Sequence, residues 1–153
     1  MDQKKELISS KCYCINLRRA AYAVTEYYDR AMADLGVTLS QYALLSSIGK
    51  IEPCSVAELA RYVRLERTTL VRNLKALYEA GWIQNDAAPG CRSSKTHVTE
   101  SGRKLAEAAK TCWNQAQTDI EACLGEENLQ QLMAYLSKLE QLNIQNKAKK
   151  SDK

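Results

Sequence analysis

Three stripes of apolar side chains at helical spacing constrain this chain more than any other feature. Leu17, Ala21, Val24, Tyr28, Ala31 and Leu35 recur in alternating steps of four and three, which places them on one face of a long first helix ending near Gly36. A second stripe, Leu105, Ala109, Cys112, Ala116, Ile120 and Cys123, follows Thr99 as a cap and is broken at Gly125. Leu129, Leu132, Leu136, Leu139 and Leu142 form a third, at heptad-like spacing. The middle of the chain, roughly 65 residues, is too small to cover all three, so pairing between two copies is the expected solution.

Between the stripes the punctuation changes. Thr38 or Ser40 is placed to cap a second helix carrying Tyr42, Leu44, Leu45 and Ile48, which stops before Pro53. Ser55 caps a short helix over Val56–Val63, Arg64-Leu65-Glu66 makes a tight connection, and a further helix runs from about Arg67 to Ala80. In that helix Leu70, Leu74 and Leu77 point inward and Gly81 is the stop. Two helices joined by about three residues, the second basic on its open face, read as a helix-turn-helix. Trp82-Ile83-Gln84-Asn85 and Lys95-Thr96-His97-Val98 then read as two strands around a turn-rich loop. The expected fold is mainly α with a small β-hairpin wing: a winged helix-turn-helix over 37–102, dimerisation helices over 1–36 and 103–146, and a basic tail at 147–153, all in one structural domain.

Composition closes off several alternatives. Two prolines, six glycines and no phenylalanine in 153 residues argue against an all-β fold. The longest apolar run is Ala20–Val24, and Met1-Asp2-Gln3-Lys4-Lys5-Glu6 carries both charges with no apolar core behind it. A cytoplasmic protein with no membrane partner is therefore expected. The six cysteines include no Cys-x-x-Cys, and Cys12 and Cys14, if both helical, point about 200° apart at 100° per residue. No metal and no cofactor are expected. A phosphate-binding glycine loop, an acid pair and a nucleophile–histidine arrangement are all missing from the sequence, so an enzyme is not the expected reading. Net charge is +4, but residues 61–104 hold nine Lys and Arg against four acids. A basic centre between near-neutral arms suits an anionic partner, with double-stranded DNA the first candidate.

Several spaced motifs then fall in order. Leu39-Ser40-Gln41-Tyr42, Ser55-Val56-Ala57-Glu58-Leu59-Ala60, Thr69-Leu70-Val71-Arg72-Asn73-Leu74, Ala80-Gly81-Trp82-Ile83 and Val98-Thr99-Glu100-Ser101-Gly102 together resemble the MarR family over about residues 12–145. The resemblance implies a homodimeric winged-helix transcription factor, usually a repressor released by a small phenolic or anionic ligand or by oxidation. Arg72 matches the family's recognition-helix arginine and Arg92 its wing arginine. The wing departs from the family pattern: Gly90, followed by Cys91, stands where an aspartate is usual, and Gly90 cannot supply the ion pair that orients the wing arginine.

On this reading Arg67, Thr68, Thr69, Arg72 and Asn73 face the major groove of a pseudo-palindromic operator. Arg72 would take guanine and Asn73 adenine; Thr68, Thr69 and Ser55 suit phosphates; Arg92 and Lys95 serve the minor groove or its phosphates. Two release mechanisms are open. Cys14 with Tyr28 resembles the reactive cysteine and one tyrosine of the family's organic-peroxide-sensing branch, with Arg18 where that branch has its other tyrosine. Arg18 and Arg19 would favour the thiolate, and Cys123 of the other subunit is the better disulfide partner. Alternatively, Tyr22, Tyr28, Tyr42, Arg18 and Arg19 would line a pocket for a phenolic carboxylate. A winged helix used as a protein-interaction platform, with DNA binding weakened, is the alternative function.

Overall fold

The structure, a computed structural model, describes residues 10–86 and 94–151, with side chains as far as residue 142. The helices are α1 (Tyr13–Ala31), α2 (Leu39–Ile51), α3 (Val56–Val63), α4 (Arg67–Glu79), α5 (Glu100–Leu124) and α6 (Glu126–Ser151); the strands are β1 (Ile83–Asn85) and β2 (Thr96–Val98). This is the expected mainly helical chain with an antiparallel hairpin. It divides into two compact units, one through Trp113 and one over Asn114–Lys153. Among the described residues no helix is long and apolar enough to cross a membrane.

Local chemistry explains most boundaries of the first unit. α2 and α3 both open on a capping box: Thr38 accepts from the Gln41 amide and Ser55 from the Glu58 amide, while the Gln41 and Glu58 side chains reach back. α1 stops earlier than its stripe suggests. The Met32 amide is shared between the Tyr28 and Asp29 carbonyls, the chain tightens into a 3-10 turn over Ala33–Leu35, and Gly36 ends it at φ 65°. A 3-10 turn keeps an i, i+3 repeat, so the stripe outlasts the helix. α1 also begins one residue after Cys12, which is its N-cap with extended backbone. The opposed geometry expected of Cys12 and Cys14 on one helix therefore does not hold.

α3 ends at Arg64, whose φ of 54° lies in the left-handed region, and the Leu65 amide closes the turn on the Ala60 carbonyl. α4 buries Leu70, Leu74 and Leu77 against Leu44, Leu45 and Ile48 of α2, Leu59 of α3, Ile83, Val98 and Cys54. Each of these leucines contributes about 1.5–3 kcal/mol by leaving water. β1 and β2 pair with Ile83 opposite Val98 and Asn85 opposite Thr96. A third short edge comes from Cys54, whose amide and carbonyl both pair with Thr96. At the open end of the hairpin His97 Nε2 lies 3.0 Å from Asp86 Oδ1.

α5 enters tightly. Thr99 Oγ1 accepts from the Gly102 amide and donates to the Gly81 carbonyl. Gly102 is buried so closely that an added Cβ would run into the Trp82 carbonyl oxygen and lie 2.9 Å from Val98 Cγ1. The first-helix stripe turns only Tyr28 inward from α1; Leu17 and Val24 are 42% and 44% exposed. In the second unit Leu132, Leu139 and Leu142 of α6 are likewise exposed. The helix continues to Ser151, into the stretch expected as a tail.

Two outcomes follow. Gly102→Ala should lose about 3 kcal/mol of stability by overpacking, whereas Gly49→Ala, on an open helical site with its nearest neighbour at 3.8 Å, should gain up to about 1 kcal/mol; urea denaturation of both variants checks the contrast. Glu58 is held at about 2 by the Lys95 ammonium first and then by the Ser55 amide and hydroxyl. Because the folded value lies below the ordinary 4.5, its contribution is complete above pH 4.5 and lost as pH falls toward 2. A carbon-13 titration of the Glu58 carboxyl should show this midpoint, and Lys95→Met should move it back upward.

Candidate nucleic-acid interface and effector cavity

The reading face is built by α4 against its own core. With Leu70, Leu74 and Leu77 inward, the helical period turns Arg67, Thr68 and Arg72 outward, and all three are exposed. Thr69 and Asn73 sit at the margin, half-buried. α4 starts at Glu66 without a side-chain cap, so its first-turn amides remain for solvent or an anion. The arrangement is a positively charged, donor-rich ridge.

Two of the residues expected at phosphates are occupied within the chain. The Ser55 hydroxyl donates to Glu58 Oε2 at 2.7 Å and accepts from the Glu58 amide. Lys95 Nζ donates to the same carboxylate oxygen at 2.8 Å, tying the start of β2 to α3. Behind them Tyr78 Oη, Thr96 Oγ1 and Asn85 Oδ1 lie within 2.9 Å of one another and join α4 to both strands. Arg92, with the departure at Gly90 and Cys91, lies outside the described residues.

A cavity of about 720 Å³ opens between α2 and α5 within the first unit, its walls including Tyr42, Lys50, Arg103, Glu107, Lys110 and Trp113. The Tyr42 and Trp113 rings are 6.4 Å apart between centroids. Burial, and then the Glu107 carboxylate, pushes the Tyr42 hydroxyl above its ordinary 10.0, so it stays a hydrogen-bond donor at neutral pH. Arg103 Nη1 also reaches Glu52 Oε1 at 2.6 Å.

The residues expected to sense an effector are not gathered around this cavity. Of them, Tyr42 lines it. Tyr28 is buried, Arg18 and Arg19 are exposed on α1, and Tyr22 is 71% exposed. Cys14 is exposed in the first turn of α1, and Cys123 is exposed in the second unit. Sequence reasoning missed Lys50, Arg103, Lys110 and Trp113. A signal for the α5 wall was present: residues 103, 106, 107, 110 and 113 share one helical face beside the apolar stripe. Cys54, the buried thiol behind the hairpin, is pushed up by burial first and by Glu58 next, which leaves it protonated and unreactive.

The family model described as "MarR family" matches residues 37–90, a span that includes α2, α3, α4 and β1. The crystal structure of the Mycobacterium tuberculosis transcriptional regulator MosR is 30% identical, with 87% of this chain and 98% of that chain covered and a TM-score of 0.71. The M. tuberculosis MosR structure in complex with DNA is 29% identical over 86% and 98% of the two chains, with a TM-score of 0.72. The Staphylococcus aureus MepR–DNA complex, at 18% identity over 86% and 98%, superposes with a TM-score of 0.75 and shares the fold. The MosR relative, 30% identical and matched over almost its full length, together with the winged helix-turn-helix fold, settles the family: the chain belongs to the MarR family of winged-helix transcriptional regulators.

Proposed function

We propose that this chain is a cytoplasmic, homodimeric, sequence-specific DNA-binding repressor without catalytic activity, released from a pseudo-palindromic operator by a small phenolic or anionic effector. The observation that carries the reading is the exposed row Arg67, Thr68 and Arg72 on the second helix of a helix-turn-helix whose other face is core. The DNA complex of MosR, 29% identical, supports it. Arg72 takes a guanine edge and Asn73 an adenine edge; Arg67, Thr68, Thr69 and Ser55 serve the backbone, and Arg92 and Lys95 the wing's contacts. Lys95 reaches a phosphate only by sharing or leaving Glu58, so its net contribution is smaller than that of Arg72. The open Leu17 and Val24 of α1 support pairing with a second copy, which sets two reading heads about one helical turn apart.

The effector reading rests on the cavity, where two aromatic rings stand with Lys50, Lys110 and Arg103, the last paired with Glu52, beside the carboxylate of Glu107. An aromatic body with one negative charge fits those walls. Oxidation is a second trigger, favoured by the exposure of Cys12 and Cys14. An organic hydroperoxide would pass its terminal oxygen to the Cys14 thiolate and leave as the alcohol; the sulfenic acid would then condense with a second thiol, that of Cys123 in the other subunit, with loss of water.

Fluorescence anisotropy on the duplex upstream of the chain's own gene tests the reading. Log affinity should fall with log salt at about −0.9 per phosphate neutralised. Arg72→Ala should cost roughly ten- to a hundredfold and relax the base preference at one position, while Lys95→Ala weakens all sequences alike. Wild-type affinity for both variants in modest salt would remove the reading head from α4. Release by hydroperoxide that thiol reverses and Cys14→Ser abolishes assigns the oxidative trigger; release by benzoate with Cys14→Ser unaffected assigns the cavity.

A further inference from the structure

We infer that Arg103 couples the cavity to the wing: an anion bound between α2 and α5 draws Arg103 from Glu52, and Glu52 then lets go of the wing strand. The inference rests on the effector reading of that cavity and adds its mode of action.

The argument starts from the hydrogen-bond alternation of an antiparallel hairpin. Asp86 donates to the Lys95 carbonyl and Thr99 to the Trp82 carbonyl, so the amides of Thr96 and Val98, between those positions on β2, face away from β1. The Thr96 amide is met by the Cys54 carbonyl at 2.7 Å. The chain segment opposite Val98 offers no backbone acceptor to it; the Glu52 side chain does, with Oε2 2.7 Å from the Val98 amide. Glu52 thus extends the third edge of the sheet by one rung with a carboxylate.

That carboxylate is 15% exposed. A shielded negative charge needs a cation close by, and Arg103 supplies it at 2.6 Å from the other oxygen. The Arg103 side chain is 56% exposed and also lines the cavity, so the guanidinium stands between two sites for negative charge. Lys50 and Lys110 line the same cavity and add to its attraction for an anion. When an effector carboxylate takes Arg103, Glu52 is left shielded without its counter-charge. Turning out to solvent restores its hydration, and the Val98 amide loses its acceptor. Val98 is in β2, whose other end carries Lys95 and opens into the wing, so the hairpin loosens next to the reading head.

Amide hydrogen exchange followed by NMR tests this on the full-length protein, with benzoate as the anionic probe, benzamide as its neutral counterpart and the α4 amide of Leu74 as internal reference. Trp113 emission, read in a Trp82→Phe background, reports occupancy of the cavity. Benzoate should quench Trp113 and speed Val98 exchange at least tenfold while Leu74 is unchanged, and benzamide should leave Val98 protected. Arg103→Gln should show fast Val98 exchange without any probe. Glu52→Gln keeps an uncharged acceptor for Val98, so its Val98 should stay protected with benzoate bound. Quenching of Trp113 with no change at Val98, or slow Val98 exchange in Arg103→Gln, overturns the coupling and leaves the cavity as a ligand site. Absence of quenching overturns the ligand reading of the cavity, and the coupling with it.

Discussion

The seam between β2 and the segment Glu52–Cys54 is where the helical and hairpin parts of the first unit are joined. Two backbone hydrogen bonds between Cys54 and Thr96 and one from Val98 to the Glu52 carboxylate hold the hairpin to the end of α2. Everything that presents the reading helix depends on this. α4 rests its leucines on α2 and on Ile83 and Val98, and the Tyr78–Asn85–Thr96 cluster locks its C-terminal end to both strands. Glu58 then adds a link from the front, because one carboxylate serves both as the cap of α3 and as the partner of Lys95. The reading helix is therefore supported from behind by apolar contact and from the sides by polar ties.

In both units helices carry large apolar side chains that remain exposed. α1 turns Tyr28 inward and leaves Leu17, Val24 and Tyr22 open, and in the second unit α6 leaves Leu132, Leu139 and Leu142 open. Exposed apolar faces on two separate helices are more than scattered surface residues. They give membership of a dimeric family a physical basis in this chain, since the uncovered area is a reason to associate.

Much of this was legible in the residues. Ser55 with Glu58 three positions on, Gly81 after the leucine stripe of α4, and the strand pair around a turn-rich loop each carry a local rule that the fold obeys. The end of α1 was not legible, because a 3-10 turn prolongs the same spacing through Leu35. The cavity between α2 and α5 was not legible either. Arg18, Tyr22 and Tyr28 are near one another in sequence, yet α1 turns only Tyr28 inward, and the cavity takes its cations from α2 and α5. The role of Glu52 had no signature at all: nothing about a glutamate before a proline announces an acceptor for an amide 46 residues away. The exposed residues of α4 are the opposite case, since the inward leucines fix which side chains remain outside.

One backbone angle bears on how such a protein changes state. Arg64, in the turn between α3 and α4, sits at φ 54°, a conformation costing a side-chain-bearing residue about 1 kcal/mol and confined to a narrow well. The Leu65 amide bonded to the Ala60 carbonyl and the packing of Leu59 with the leucines of α4 hold Arg64 there against that cost. The geometry of the turn is thus set by its neighbours and not by Arg64 itself, and the junction of the two helices is a place where the first unit stores strain.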